Sequence, residues 1–448
     1  MKNIIMLSNY KNVIRLSLWG ILLISFVFTG CRDRNTKNQP AEKEVSTMKE
    51  QAENTDFTLA FLNALFYEED FEPSLKSQLQ LSERQIGDLK VAATTAVEKL
   101  SEEDEPSSKS FKESINQATT QIVKILGNQK AAQFFHFLTA RYADGENTLP
   151  IEPNHIPEDT RIIVNGPAFR MDVFQQGKLV KTYSIAIGYP EFPLPTGVRK
   201  ATNIIFNPTW TPPDEPWVKG KVSPGEKVPA GSKLNPLGPI KIPIGMPSLI
   251  HGGKDVSKLG AFASHGCVGL TDGQVQDFTK FLSLVAGNPI SAETIANYEK
   301  KDTKTETVKL KQPVLVELRY ETIVAQDGGL HIFRDVYERG TNTIENATRV
   351  LNKYNIKLEQ LSEQERTSLT KGLEDMNQDA RGNKIAGIDN PESSSTGDSS
   401  KERAADKESR KDKGQVTRKV IGQKEIIVRI AALKGKGYPL PVDMNSGK

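Results

Sequence analysis

Thirteen of the chain's 25 prolines fall between Tyr189 and Pro247. Proline fixes φ and removes an amide donor, so this stretch is not regular sheet. Long loops inside compact domains are usually functional or disordered, and Trp210 and Trp217 favour an ordered loop lining a groove. The residues around it alternate with a period of two. Arg161–Phe174 reads as one strand, Gly177 as a turn, and Leu179–Gly188 as the returning strand. Asn203–Phe206, Ile240–Ile244, Val314–Tyr320 and His331–Phe333 are further strand candidates.

Before residue 160 the period is helical. Ser82 stands as an N-cap, and Ile86, Leu89, Val91, Ala93, Val97 and Leu100 follow at close to 3.6-residue spacing. A charged, Ser-rich break at Ser101–Ser110 separates this from a second helical stretch, Phe111–Tyr142. After Tyr320 comes a mixed segment with a helix near Thr343–Asn355. Ser393–Lys413 is polar, low in complexity and reads as a disordered linker. A strand-like run, Glu425–Leu433, then returns to a folded unit. A chain of 448 residues is long enough for two or three such units.

Basic and acidic residues nearly balance, 59 against 56, which argues against a dedicated nucleic-acid binder. A mean hydropathy of −0.46 excludes a multi-span membrane protein. Two cysteines are too few for a disulfide scaffold or a four-cysteine zinc site. One disulfide or two separate jobs remain. The first cysteine follows a charged start (Lys2, Lys11, Arg15) and an apolar run, Leu16–Thr29. The run is about 14 residues, the length of a signal-peptide core rather than a membrane span. Phe28-Thr29-Gly30-Cys31 resembles a bacterial lipobox, which implies that Cys31 is lipidated. Arg32 stands where an inner-membrane retention signal has aspartate, so the resemblance implies lipid anchoring at the outer membrane, facing the periplasm. Residues 32–54 are a polar tether.

The second cysteine lies in Ala263-Ser264-His265-Gly266-Cys267-Val268-Gly269-Leu270, and Leu249-Ile250-His251-Gly252-Gly253 precedes it. His251 is 16 positions before Cys267. A thiol attacks carbonyls only as thiolate, and a histidine in reach takes its proton and returns it to a leaving amine. Glycines at 252, 253 and 266 let backbone approach a ligand. Amides around His265, Gly266 and Cys267 suit a developing oxyanion. A buried inert cysteine, or a metal site of His251, His265 and Cys267, fits the same residue types. No further cysteine or HxxxH spacing supports the metal.

These motifs resemble the L,D-transpeptidase catalytic domain of the YkuD type, whose signature is a histidine, an intervening stretch, then Ser/Thr-His-Gly-Cys. Pro193-Leu-Pro-Thr-Gly197 is similar to the family's TPxG turn, and Pro229–Gly238 to the segment that leads to the catalytic histidine. Val314–Tyr320 resembles a terminal strand. The resemblance covers roughly residues 158–325. It implies a mainly-β catalytic domain (151–325); with the small helical N-terminal domain (56–150) and the mixed, partly disordered C-terminal tail read from the periodicity and composition, the chain is α+β. Flanking these are a signal peptide (1–30), the lipidated Cys31 and tether (31–55), an extension (326–390), a linker (391–415) and a final segment (416–448).

By the same resemblance, Cys267 is the nucleophile and His251 the general base, with the Gly252 carbonyl orienting its imidazole. His265 is a structural or substrate-orienting neighbour, and Ser264 and Gly266 support the site. Two positions depart from the pattern: Gly269 stands where arginine is usual and Asp272 where asparagine is usual. The implied reaction is acyl transfer on peptidoglycan stem tetrapeptides through a Cys267 thioester. D-Ala is released and an amine accepts the acyl group, on another stem or on an envelope protein. Neither metal nor organic cofactor is needed. Water as acceptor, giving an L,D-carboxypeptidase or hydrolase, and a non-catalytic wall-binding lipoprotein are the alternatives.

Overall fold

The computed structural model describes residues 57–68, 70–98, 100, 111–142, 152–212, 222–223, 226–245, 248–300, 304–385 and 418–444. All lie within one unit spanning 44–448. The signal, Cys31, the tether, the 101–110 break, Trp217 and the 391–415 linker fall outside the described residues.

The helical segment forms α1 (Leu59–Leu65), α2 (Phe71–Leu79), α3 (Glu83–Glu98), α4 (Phe111–Leu126) and α5 (Asn128–Tyr142). Ser82 caps α3 reciprocally with Gln85: its amide donates to the Gln85 side chain, and its hydroxyl accepts the Gln85 amide. Ile86, Leu89, Ala93 and Val97 are buried as their spacing predicts. Val91 is a correction, being 66% exposed. It lies two residues, about 200° of helix, from both Leu89 and Ala93 and so points away from the buried stripe. Phe57, Phe61, Phe134 and Phe135 fill the centre edge to face. Burying each such ring stabilises the fold by about 1.5–3 kcal/mol.

The period-two region builds an eight-stranded mixed sheet. Its strands are β1 (Arg161–Asn165), β2 (Arg170–Gln175), β3 (Lys178–Ser184), β5 (Gly197–Phe206), β6 (Ile240–Pro243), β7 (Leu249–His251), β9 (Val268–Gly269) and β10 (Glu306–Arg319). The spatial order is β3-β2-β1-β10-β5-β6-β7-β9. A parallel pair, β4 (Ile187–Gly188) and β8 (Phe262–Ser264), lies apart from it.

Two readings are corrected. Arg161–Phe174 is not one strand: the chain turns at 166–169 and β2 folds back antiparallel on β1. Gly166-Pro167 breaks the run, because proline lacks the amide that a continuing ladder needs. The proline-dense segment does contain sheet. β5 runs through its proline-free window, 196–207, and β6 is closed by Pro243. The loop between them is ordered where described, with Trp210 and Val228 exchanging backbone hydrogen bonds of 3.0 and 2.8 Å.

Val314–Arg319 lies within a longer strand, β10, with Tyr320 just beyond its end; β10 is central, parallel to β1 and antiparallel to β5. Helices α6 (Asp272–Val285) and α7 (Ala292–Glu299) follow β9. One hydrophobic cluster runs without a break from the N-terminal helices through the large sheet and takes in Val336, Tyr337, Ala380 and Val420.

The C-terminal extension has its own core around β11 (Ile323–Gln326), β12 (Gly329–Phe333), α8 (Ile344–Lys353), α9 (Glu363–Met376) and β13 (Glu425–Arg429). β13 pairs antiparallel with β12, joining residues nearly one hundred positions apart. The run Glu425–Leu433 is strand only to Arg429, and Ala431–Leu433 is a 3-10 turn.

Candidate active site

β7 delivers His251 and β9 follows Cys267. The two strands are parallel neighbours with Ile250 opposite Val268 and His251 opposite Gly269. The loop connecting β8 to β9 turns tightly through 265–267. Ser264 closes it: its hydroxyl donates to the Cys267 carbonyl at 2.6 Å and accepts the Cys267 amide at 3.1 Å. Gly266 sits at φ +89°, a conformation that disfavours any side chain.

His251 is 3% exposed, and its Nδ1 lies 2.7 Å from the Gly252 carbonyl oxygen. A carbonyl only accepts, so Nδ1 carries the hydrogen and Nε2 keeps a lone pair. Burial holds this imidazole down to about 3, with the Lys254 charge acting the same way against the Gly252 and Leu237 carbonyls. The ring is therefore neutral at physiological pH, the state a general base requires.

Cys267 is half-buried and not in a disulfide. Burial pushes its thiol up, while a hydrogen bond from the Leu249 backbone and the Lys254 and Lys241 charges pull it down. With a neutral imidazole and a thiol raised above its ordinary value, the resting site holds thiol and base rather than a preformed ion pair.

His265 follows a different direction. Its ring packs edge-on against Tyr189 (centroids 5.0 Å) and Phe192 (4.5 Å), and burial lowers it to about 3. These contacts tie the segment 188–194 to the turn that carries Cys267. Four further hydrogen bonds secure that segment. The Tyr189 amide donates to the Ser264 carbonyl at 2.9 Å. Tyr337 bridges Gly188 and Leu194, and Thr58 from the helical segment donates to the Glu191 carbonyl at 2.8 Å. Phe61 of α1 approaches within 3.7 Å of where a Cβ would stand on Gly266. The helical segment thus reaches the Cys267 turn directly, and the C-terminal extension holds the 188–194 segment that packs on it.

Asp272, in the first turn of α6, accepts the Gly253 amide at 2.7 Å. Its carboxylate braces the glycine pair after His251, a task an asparagine oxygen performs equally well. Of the three amides offered for an oxyanion, that of Cys267 is committed to the Ser264 hydroxyl. Among the described residues no group of three or more His, Cys, Asp or Glu is arranged to hold a metal ion.

The sequence motifs name Cys267, His251, Gly252, Ser264, Gly266 and His265, and the fold gathers all six. Lys241, Lys254, Thr58 and Tyr337 escaped the sequence reading. The alternation of Ile240-Lys-Ile-Pro-Ile244 was the one available signal, since it separates Lys241 from the buried isoleucines without naming the strand it pairs with.

Residues 159–311 match the family model of the L,D-transpeptidase catalytic domain, YkuD. No curated protein matches the chain. Several solved structures are similar. The catalytic domain of the Enterococcus faecium L,D-transpeptidase is 21% identical, with 36% of this chain covering 99% of that domain at a TM-score of 0.22. A longer Enterococcus faecium L,D-transpeptidase is 19% identical, with 36% of this chain and 50% of that one aligned at a TM-score of 0.21. An L,D-transpeptidase from Mycobacterium smegmatis is 16% identical over 36% of this chain and 58% of that chain, at a TM-score of 0.23. This chain thus spans about half the length of the longer Enterococcus protein. It carries an L,D-transpeptidase-type catalytic domain within a larger framework of its own.

Proposed function

We propose that this chain is a peptidoglycan L,D-transpeptidase that works through a Cys267 thioester. The observation that carries the reading is the Nδ1 contact of His251 with Gly252, which leaves Nε2 unprotonated on the strand next to the nucleophile. His251 takes the thiol proton as sulfur attacks the carbonyl of the third, diamino-acid residue of a stem tetrapeptide. The carbonyl oxygen becomes an oxyanion held against the backbone of the Cys267 turn. Collapse breaks the bond to D-Ala, whose amine leaves with the proton from His251. An amine on another stem or an envelope protein then attacks the thioester carbonyl and gives its proton to His251; the C–S bond breaks, and His251 returns the proton to the departing Cys267 sulfur.

The reading extends to the N-terminus. Cys31 carries lipid and holds the enzyme at the outer membrane, and the polar residues after it let the catalytic domain reach the wall. Metabolic labelling with a fatty-acid analogue, lost in Cys31→Ala, tests the anchor.

Product analysis on isolated peptidoglycan tests the chemistry. The wild type releases D-Ala and forms a covalent acyl adduct on Cys267, and Cys267→Ala does neither. Imipenem, which is bound in one of the similar L,D-transpeptidase structures, is a suitable acylating probe for the mass shift. No adduct on the wild type, or one that persists in Cys267→Ala, refutes the assignment.

A further inference from the structure

Strand register gathers charges around the thiol that the reaction above does not use. Lys241 in β6 pairs directly with His251 in β7, and His251 pairs with Gly269 in β9. Residues opposite one another share a face of the sheet, as do residues two apart in a strand. Lys241, His251 and Gly269 therefore look out on one face, and Cys267 enters β9 on the same side.

Gly269 has no side chain there, and Lys254 takes the space. A Cβ at Gly269 would fall 2.8 Å from Lys254 Cγ and 3.0 Å from Cε, and would need that side chain to move. Lys254 is anchored by its amide, which donates to the Leu270 carbonyl at 3.1 Å. Lys241 approaches from the opposite flank and is partly buried. Both cations favour the thiolate. Lys241 meets no carboxylate among the described residues, and burial depresses its ammonium. A partly desolvated ammonium gains most from an anion that enters with a substrate.

We propose that Lys241 and Lys254 form a carboxylate-binding subsite that reads a free carboxylate beside the scissile bond of the peptide. The proposal deepens the acyl-transfer reading and rests on it for the location of that bond. A stem tetrapeptide offers two such groups: the carboxylate of the departing D-Ala, and the side-chain carboxylate of a diaminodicarboxylic third residue. Lysine suits either, since a single ammonium satisfies a carboxylate that approaches along a groove.

The test uses the full chain and three synthetic tetrapeptides, with both carboxylates free or with one or the other amidated. D-Ala release reads turnover, and calorimetric binding to the Cys267→Ala chain reads affinity without chemistry. Lys241→Met and Lys254→Met are each expected to raise KM and weaken binding of the free peptide about tenfold, with kcat less affected. Amidating the carboxylate that is read should weaken the wild type by a similar factor and erase the difference between wild type and variants. Which amide does so identifies the source. Lysine-to-arginine variants should keep the preference, and Gly269→Ala, which displaces Lys254 without removing its charge, should weaken it. A cooperative thermal unfolding transition confirms that each variant is folded, and alkylation by neutral iodoacetamide that its thiol is accessible.

Equal effects on acid and amide peptides, no effect, or no measurable binding overturns the subsite. Selective binding by the Cys267→Ala chain without turnover by the wild type sustains the subsite and refutes acyl transfer instead.

Discussion

The Tyr337 hydroxyl donates to the Gly188 carbonyl at 2.7 Å and accepts the Leu194 amide at 3.1 Å, closing the segment between them from the C-terminal side. Tyr337 is fully buried and stacks on Phe262 and Tyr320. The Tyr320 hydroxyl in turn accepts the Tyr337 amide at 2.7 Å and donates to Asp335 at 2.6 Å. Tyr320 and Tyr337, both outside the family-matched segment, stack with Phe262 inside it and so hold the segment that presses on His265.

Tyr337→Phe keeps the ring and removes both contacts, leaving a buried carbonyl and amide without a partner. The expected loss of stability is about 1–3 kcal/mol. Acylation of Cys267 should slow more than the fall in folded fraction explains, because Tyr189 and Phe192 lose their brace. Denaturant unfolding and the imipenem acylation rate, measured on the same preparation, separate the two effects.

The thiol and the imidazoles set opposite pH signatures. Burial raises Cys267, so its alkylation by iodoacetamide should rise with pH to a midpoint above the ordinary thiol value of about 8.5. A midpoint below neutrality would mean a thiolate–imidazolium pair in the resting site.

His251 and His265 are each held down to about 3 in the fold, against an ordinary value of about 6.5 when unfolded. Between those limits the unfolded chain binds more protons, so stability falls as pH drops from about 6.5 toward 3. Their neutral state contributes fully above pH 6.5. Urea midpoints measured from pH 7 to pH 4 should decline, and His265→Asn should flatten that decline.

Gly266→Ala adds a Cβ with ordinary contacts, the nearest atom being 3.7 Å away. Its cost is the backbone, since φ is +89°. The strain expected is about 1–2 kcal/mol, relieved by rotating the turn that carries Cys267. Acylation should fall while thermal unfolding shifts little.

Asp272→Asn retains an acceptor for the Gly253 amide and should leave acylation near the wild-type rate. Asp272→Ala removes it and should slow acylation about tenfold, the amide being left to water or unpaired. An inactive Asn variant would mean that the charge, rather than the acceptor, matters.

Much of the site was legible because its chemistry is local. The His251-Gly252-Gly253 and Ser264-His265-Gly266-Cys267 motifs each fold within a few residues, and glycine marks where backbone must turn. The helical segment was equally legible, since a buried stripe repeats every 3.6 residues, and only Val91 misled. The break after Asn165 was readable in Gly166-Pro167 and was overridden by the apolar alternation on both sides.

Pairing was not legible. β12 meets β13 across nearly one hundred residues, β1 lies beside β10, and Lys241 lands opposite His251. Each depends on which apolar faces bury one another, a choice made by the whole core rather than by any window. The sequence alone determined the reactive residues, the periods of the elements and the glycine turns, because those follow from side-chain chemistry and short-range sterics. Only the tertiary structure decided that Thr58 and Tyr337 both clasp the segment over His265, and that Lys254 fills the space left by Gly269. Those contacts join residues more than one hundred positions apart or depend on strand register, and no local pattern encodes them.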